Sequence, residues 1–348
     1  MKSEHQEYTK KKTILFSVIL IMILGFAAYG NSLNNPFFWD DDFLITKNEY
    51  IKNWKHLPQI FSKDIGAGIN KRYSYYRPLL ITSYLIDHSL WKFDVRGYHL
   101  TNILLHACAA LGVYWLVNII SKNNLLALLT GSFFVVHPVH TEAVTYLSGR
   151  ADPLALLFML LCFVFYLKSV SARQLNSYIL MILSYALALL SRENSLILPA
   201  LILAYHYSFK KKVRAQEFLS LLVLSGIYIF LRTSVLNISG APNVNASTLG
   251  QRLPGSFAAL TTYLRLLIVP FHLHMEYGNS LFAYGNPKAI LGAIIICAVL
   301  IYALKRRNQR GLMFFSVSWF LIALLPVSNL YPINAYMAEH WLYLPSIG

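Results

Sequence analysis

The sequence predicts an all-α polytopic membrane protein, and three observations predict it. Hydrophobic residues make up 56% of the 348 positions while charged residues make up only 13%, about half the charged share of a soluble chain. The apolar residues gather in runs near the length needed to cross about 30 Å of hydrocarbon, and the basic residues sit in short islands between those runs. That distribution removes the first implication of a net charge of +15, a nucleic-acid surface, because no continuous basic face exists. The three cysteines, Cys108, Cys162 and Cys297, lie inside apolar runs, which excludes a disulfide framework and a cysteine zinc cluster.

The spans are expected near 13–30, 98–120, 125–137, 153–168, 177–190, 195–209, 217–236, 288–304 and 311–327, with a weaker segment at 257–271. The first follows Lys10, Lys11 and Lys12 and lacks a small-residue cleavage site, so it reads as a signal anchor. Placing this basic end inside and alternating puts Lys122, Lys168, Arg173, Lys210, Lys211, Lys212, Arg214, Arg306, Arg307 and Arg310 inside as well, as the positive-inside rule requires. The scheme holds only if 257–271 is re-entrant or surface-lying. The whole chain then forms one membrane-embedded domain: an anchor helix, a long first outer loop over 31–97 with amphipathic helices, and a helical bundle over 98–348.

This topology sends all the acids except Glu4, Glu7 and Glu217 to the outer side. They fall in the loop 31–97 and at Glu142, Asp152, Glu193, Glu276 and Glu339, each near the mouth of an apolar run. Carboxylates at membrane depth are costly unless they face a wet or protein-lined cavity, so their convergence points to a polar outer site; solvated loop ends are the plainer explanation. In the first loop Phe37-Phe38-Trp39 leads into Asp40-Asp41-Asp42. Adjacent carboxylates repel, which raises one pKa and leaves a base beside an acid or a metal ligand; the competing reading is a solvated turn that caps a helix. Farther on, Tyr73-Ser74-Tyr75-Tyr76-Arg77-Pro78 opens an amphipathic stretch over 78–90, with Pro78 suited to a first helical position. Arg77 there either grips a phosphate through its fork or snorkels to lipid headgroups.

Two outer loops repeat a theme, His137-Pro138-Val139-His140-Thr141-Glu142 and His272-Leu273-His274-Met275-Glu276. Imidazoles with carboxylates suit a divalent metal, with His140, Glu142, His274 and Glu276 as the ligand set; hydrogen bonding to a polar ligand is the competing use. His106 and His206 sit among apolar residues and read as satisfied inside the bundle. Asn237-Ile238-Ser239 and Asn245-Ala246-Ser247 match the N-glycosylation pattern.

Several motifs in order carry a family resemblance. Phe38-Trp39-Asp40-Asp41, Tyr76-Arg77-Pro78-Leu79, Gly97-Tyr98-His99-Leu100-Thr101-Asn102, His137 through Val144, Ser148-Gly149-Arg150-Ala151-Asp152, and Glu339 through Gly348 together resemble the transmembrane-and-tetratricopeptide O-mannosyltransferases and their bacterial relatives, of the C-type (GT-C) superfamily of membrane glycosyltransferases. The resemblance runs from about residue 30 to the end. It implies a bundle of about 9–11 transmembrane helices, a sugar donor carried on polyprenyl or dolichyl phosphate, and an acceptor hydroxyl, usually on protein. It also implies a catalytic acidic pair in the first outer loop, here Asp40 and Asp41, acting on the outer side of the membrane. That is the periplasmic face of the inner membrane in a bacterium and the endoplasmic reticulum lumen in a eukaryote.

The chain departs from the family pattern where Lys-Glu is usual and Arg192-Glu193 stands, where a Ser and an Asp are usual and His274 and Glu276 stand, and where an Arg would follow the last glutamate and His340 stands. It carries no 34-residue repeat and stops where another helix would begin, so the sequence is either cut before a further helix and any repeat domain or that of a relative lacking that part. The implied mechanism is a single inverting displacement at the anomeric carbon. Asp41 or Asp40 is the general base, Arg77, Arg150 and Arg192 hold the leaving phosphate, and His137, His140, Glu142, Asp152, Glu193, Glu276 and Glu339 contact sugar or acceptor. A transporter or flippase of a lipid-linked or anionic substrate is the alternative function, though transporters place ionisable groups at the midplane between related halves, and no such halves are visible.

Overall fold

The computed structural model describes residues 2–348 apart from 239–246, Asn279, 306–310 and Asn334, together with the side chains of all described residues except 2–10 and Leu304. The basic cluster Arg306, Arg307 and Arg310, and Ser239, Asn245 and Ala246 of the two Asn-x-Ser triplets, lie outside the described residues. Among those described the regular structure is helical throughout, and the protein is an all-α polytopic membrane protein.

Helix α1 (Lys2–Tyr29) carries the basic end and the first apolar run as one helix. The segment after it is a chain of tight turns holding the short α2 (Leu57–Ser62) and then α3 (Pro78–Trp91), which Pro78 opens from its first position. Helix α4 (Val95–Ser121) begins where the Asp94 carboxylate accepts from the Arg96 amide, and α5 (Asn124–Val136) where the Asn123 side chain accepts from the Leu126 amide. The one-turn α6 (Thr141–Thr145) leads to α7 (Ala151–Ala172), α8 (Leu175–Ser191) and α9 (Leu198–Ser208). After these come α10 (Ala215–Phe230), α11 (Leu249–Ile268), α12 (Pro287–Lys305) and α13 (Leu312–Leu324). Lys122 and Arg173 take left-handed φ values of 54° and 52° at the ends of α4 and α7, which turns the chain directly into the antiparallel α5 and α8.

Among the described residues four helical stretches are long and apolar enough to cross a bilayer by themselves, Lys11–Asn34, Val95–Ser121, Leu147–Ala172 and Ala215–Val235; α5, α8, Pro287–Ala303 and Leu312–Val327 are shorter apolar helices. The centre of the bundle is formed by α1, α4, α5, α7 and α8, whose buried face includes Ile21, Ala110, Val113, Ala127, Leu160, Phe163, Met181 and Tyr185. Helices come close because small residues sit at the crossings: a Cβ at Gly131 would stand 3.0 Å from the Ile21 side chain and 3.2 Å from the Ala110 carbonyl oxygen.

A second core, with Leu44, Ile45, Ile51, Leu80, Ile81, Tyr84, Leu85 and Tyr98, fastens the 31–97 segment to the bundle. Beneath it lies Arg150, fully buried. Its guanidinium donates to Asn102 Oδ1 (2.6 Å), Ser83 Oγ (3.2 Å) and the Tyr98 carbonyl (3.0 Å), and pairs with Asp87 at 2.5 Å. One side chain thus ties α3 to α4 and to the start of α7.

Helix α11 lies across one end of the bundle. Arg252, near its start, donates to the Asn329 and Leu330 carbonyls, Tyr263 in its middle donates to the Ala338 carbonyl, and the Leu267 carbonyl at its end accepts from His137. These bonds fasten α11 to the segments after α5 and α13.

Candidate functional site

A cavity of about 840 Å³ opens at this end. Its walls come from the turn after α1, the 64–77 strap before α3, the start of α7, the α8–α9 junction, the end of α10, the segment after α11 and the stretch after α13. Antiparallel helices deliver alternate ends to one face, which is why residues so far apart in sequence share one chamber. Of the twelve residues expected to act as base, hold phosphate or contact sugar or acceptor, seven line it: Asp40, Arg77, Glu142, Asp152, Arg192, Glu193 and Glu276.

The two aspartates of the first loop have different surroundings. Asp41 is fully buried, and its carboxylate accepts from the Phe38 amide (3.2 Å), the Ser148 amide (2.8 Å) and Ser148 Oγ (2.6 Å). Burial pushes the Asp41 carboxyl above its usual range, the Ser148 and Phe38 donors pull it back, and the charge of Asp40 adds a smaller push upward. Asp40 lies on the cavity wall, anchored through its own amide, which donates to the Tyr146 hydroxyl (3.2 Å). Trp39 just before it takes a left-handed φ of 55°, a strained conformation for a bulky residue. Gly149 serves the same locality: a Cβ there would meet the Glu142 carbonyl oxygen at 2.7 Å, so only glycine lets the Ser148 turn press against the 142–143 backbone.

Charge pairs organise the facing wall. Arg77 presents a fork to Glu193, with Nε at 2.9 Å from Oε2 and Nη2 on Oε1, while its guanidinium packs 4.6 Å from the centre of the Tyr75 ring. Burial works to raise the Glu193 carboxyl, but the charge and hydrogen bonds of Arg77, with Arg192 beyond, outweigh it and draw it down to about 2. Arg192 pairs with Asp152. Glu142 accepts from both the amide (2.9 Å) and Nδ1 (2.5 Å) of His340.

Five expected residues lie elsewhere. Asp41 and Arg150 occupy the buried positions already described. His137 is held by the Leu267 carbonyl and by the Val139 amide. His140 is buried with its ring 4.4 Å from Phe134 and 4.8 Å from Tyr343, and burial, followed by the nearby His106 and His137, keeps it well below the usual histidine range. Glu339 is buried and accepts from the His274 amide and the Tyr277 hydroxyl, both at 2.6 Å; burial raises its carboxyl despite these donors.

The ligand set His140, Glu142, His274 and Glu276 is not brought to a point: among the described residues no three His, Cys, Asp or Glu side chains form a group able to hold a metal. His140 is enclosed by aromatic rings and Glu142 is engaged by His340.

The structure adds residues that sequence reasoning left out of the site. Tyr146 and Ser148 hold the two aspartates, and Arg232, Tyr277 and Trp341 line the cavity. Arg232 carried a signal in the sequence: it is a lone cation near the end of an apolar run, on the side that collects the acids, where a charge is costly unless it is used.

No family model matches the chain. Among curated proteins it is similar to Protein O-mannosyl-transferase F38B6.6 of Caenorhabditis elegans, 28% identical over 95% of this chain and 50% of that protein. It is also similar to Protein O-mannosyl-transferase Tmtc1 of Drosophila melanogaster, 32% identical over 50% of this chain and 20% of that protein, and to human Protein O-mannosyl-transferase TMTC2, 35% identical over 43% and 18%. The chain therefore spans at most about half the length of these relatives. Over 43% to 95% of its own length, then, this chain is similar to TMTC-type protein O-mannosyl-transferases.

Proposed function

We propose that the protein transfers a mannose-like hexose from a polyprenyl or dolichyl phosphate to a hydroxyl, on protein, in the cavity described above and with inversion at the anomeric carbon. The observation that carries this reading is the meeting of Asp40 with three arginines, Arg77, Arg192 and Arg232, in one chamber at the end of a membrane bundle. The names of the relatives supply the sugar and the acceptor class.

In this reaction the acceptor oxygen forms a bond to the anomeric carbon as the bond from that carbon to the phosphate oxygen breaks. The acceptor proton goes to the Asp40 carboxylate, a general-base contribution of about 10²–10⁴ in rate. The leaving phosphate takes the electron pair and is held by cationic side chains that need no reorganisation. Asp41 fits the part of base less well, because both of its carboxylate oxygens already accept hydrogen bonds. It sets the turn that presents Asp40. Arg77 and Arg192 form a positive wall held in place by Glu193 and Asp152. The acids gather at one end and not at mid-bundle, which favours transfer over transport.

The test is transfer from polyprenyl-phosphate mannose to a serine- and threonine-containing peptide by purified protein, compared with Asp40→Asn. Transfer by the parent and its loss in the variant support the reading. Transfer undiminished by Asp40→Asn overturns the assignment of the base, and no transfer by the parent from any polyprenyl-phosphate sugar overturns the function.

A further inference from the structure

The cationic groups lining the cavity are not equivalent. Arg77 is matched by the Glu193 carboxylate, Arg192 by Asp152, and His340 by Glu142. Arg232 has no carboxylate partner among the described residues. Among the described residues its guanidinium donates to backbone carbonyls alone, from Nε to Ile238 (3.3 Å) and from Nη2 to Ser74 (3.1 Å). A guanidinium has five N–H donors, and the described residues take up two of its nitrogens. The two carbonyls orient the group without neutralising it. They come from different segments, so the fork is braced between the end of α10 and the strap that carries Tyr73, Ser74 and Tyr75 along the same cavity.

The position of Arg232 also states where its ligand comes from. It lies in the π-helical turn Leu231–Val235 that continues α10, a kind of turn often found at functional sites. Helix α10 packs lightly on the rest of the bundle, and its Leu219, Val223 and Phe230 side chains are each more than half exposed. This apolar, lipid-facing helix ends on a guanidinium held in the cavity wall.

We infer that Arg232 is the principal ligand for the phosphate of a lipid-borne donor, with Arg77 and Arg192 acting as a second line whose charge is already compensated. The inference rests on the transfer reading above and deepens it: the substrate group is an anionic phosphate on an isoprenoid lipid, arriving along α10. No covalent step at Arg232 is involved; the fork binds the phosphate before the glycosidic bond breaks and retains it afterwards.

The test uses the full chain in detergent or nanodiscs with Arg232→Gln, which keeps a side-chain amide able to donate to a carbonyl but removes the charge, and Arg232→Lys, which keeps the charge without the fork. Initial rates are measured against polyprenyl-phosphate mannose concentration, with polyprenyl phosphate and inorganic phosphate as competitors. The expected result is a rise of about tenfold or more in the half-saturating donor concentration for Arg232→Gln, as for loss of one charged hydrogen-bonded contact. The rate at saturation should change far less, Arg232→Lys should fall between, and polyprenyl phosphate should compete far better than inorganic phosphate. An unchanged half-saturating concentration in Arg232→Gln overturns the assignment while parent activity leaves the transfer reading standing. A fall in saturating rate alone assigns Arg232 to structure and also overturns it. Equal competition by inorganic phosphate overturns the lipid-borne source. A parent protein that neither transfers from polyprenyl-phosphate mannose nor binds polyprenyl phosphate overturns the transfer reading and the inference together.

Discussion

Glu142 and His340, 198 residues apart, are joined by two hydrogen bonds, from the His340 amide at 2.9 Å and from its Nδ1 at 2.5 Å. A carboxylate can only accept from Nδ1, so Nδ1 carries a proton and Nε2 is the ring nitrogen left for the cavity. The pair fastens the final segment of the chain to the start of α6 and fixes the orientation of an imidazole in the wall of the site. His340→Ala should destabilise the protein by about 1–3 kcal/mol, because the Glu142 side chain, only 8% exposed, loses its partner. In thermal unfolding of the detergent-solubilised protein, Glu142→Gln combined with His340→Ala should cost clearly less than the two single changes added together. Strict additivity would show that the two side chains do not act as a pair.

The two neighbouring aspartates should separate by readout. Asp40→Asn is expected to lower transfer by about 10²–10⁴ with little change in thermal stability, since its carboxylate makes no structural hydrogen bond among the described residues. Asp41→Ala leaves the Phe38 amide, the Ser148 amide and the Ser148 hydroxyl unmatched, and should lower stability by at least about 2 kcal/mol as well as activity. Activity with unfolding curves for both variants checks this; equal stability losses would contradict it.

The Arg77–Glu193 pair gives a pH dependence of known sign. Glu193 ionises near 2 in the fold against 4.5 for a free glutamate, so the folded state binds fewer protons between these values. Its stabilisation is fully present above about pH 5 and is lost as pH falls toward about 2. Unfolding temperature followed down this range should decline, and Glu193→Gln should flatten that decline while lowering stability at neutral pH. A variant with the parent slope would contradict the assignment.

Arg150 is expected to behave as a structural residue. Breaking its buried pair with Asp87 through Arg150→Met leaves a buried carboxylate uncompensated, a loss of about 3–5 kcal/mol. Burial already pushes the Asp87 carboxyl above its usual range, even though Arg150 and Thr101 pull it down. Asp87→Asn placed in the Arg150→Met background should restore part of the stability, measured by unfolding in detergent, and the fraction of active protein should follow the fraction folded.

Much of the fold was legible because helices in a membrane announce themselves by composition. Every span expected from an apolar run corresponds to a helix, and the caps at Asp94 and Asn123 and the reversals at Lys122 and Arg173 stand where polar residues interrupt the runs. The gathering of Asp40, Arg77, Glu142, Asp152, Arg192, Glu193 and Glu276 was also legible, since alternating helices must carry every second loop to the same end. The fates of Asp41, Arg150, His137 and His140 were not. Each is a polar residue beside a polar motif, and sequence does not distinguish a side chain that faces a cavity from one turned into the protein.

The sequence by itself determined the class of molecule, the helical bundle and the chemical identity of one polar end, because hydropathy and charge placement act over whole segments. Tertiary structure alone decided which member of each adjacent pair reaches the site, which arginines are already neutralised and which is not. Those outcomes depend on the Phe38 and Ser148 donors that hold Asp41, on carboxylates arriving from distant segments, and on two backbone carbonyls at Arg232. Such distinctions turn on contacts within hydrogen-bond distance between residues far apart in the chain, 107 positions for Asp41 and Ser148 and 116 for Arg77 and Glu193, and no local pattern in the chain encodes them.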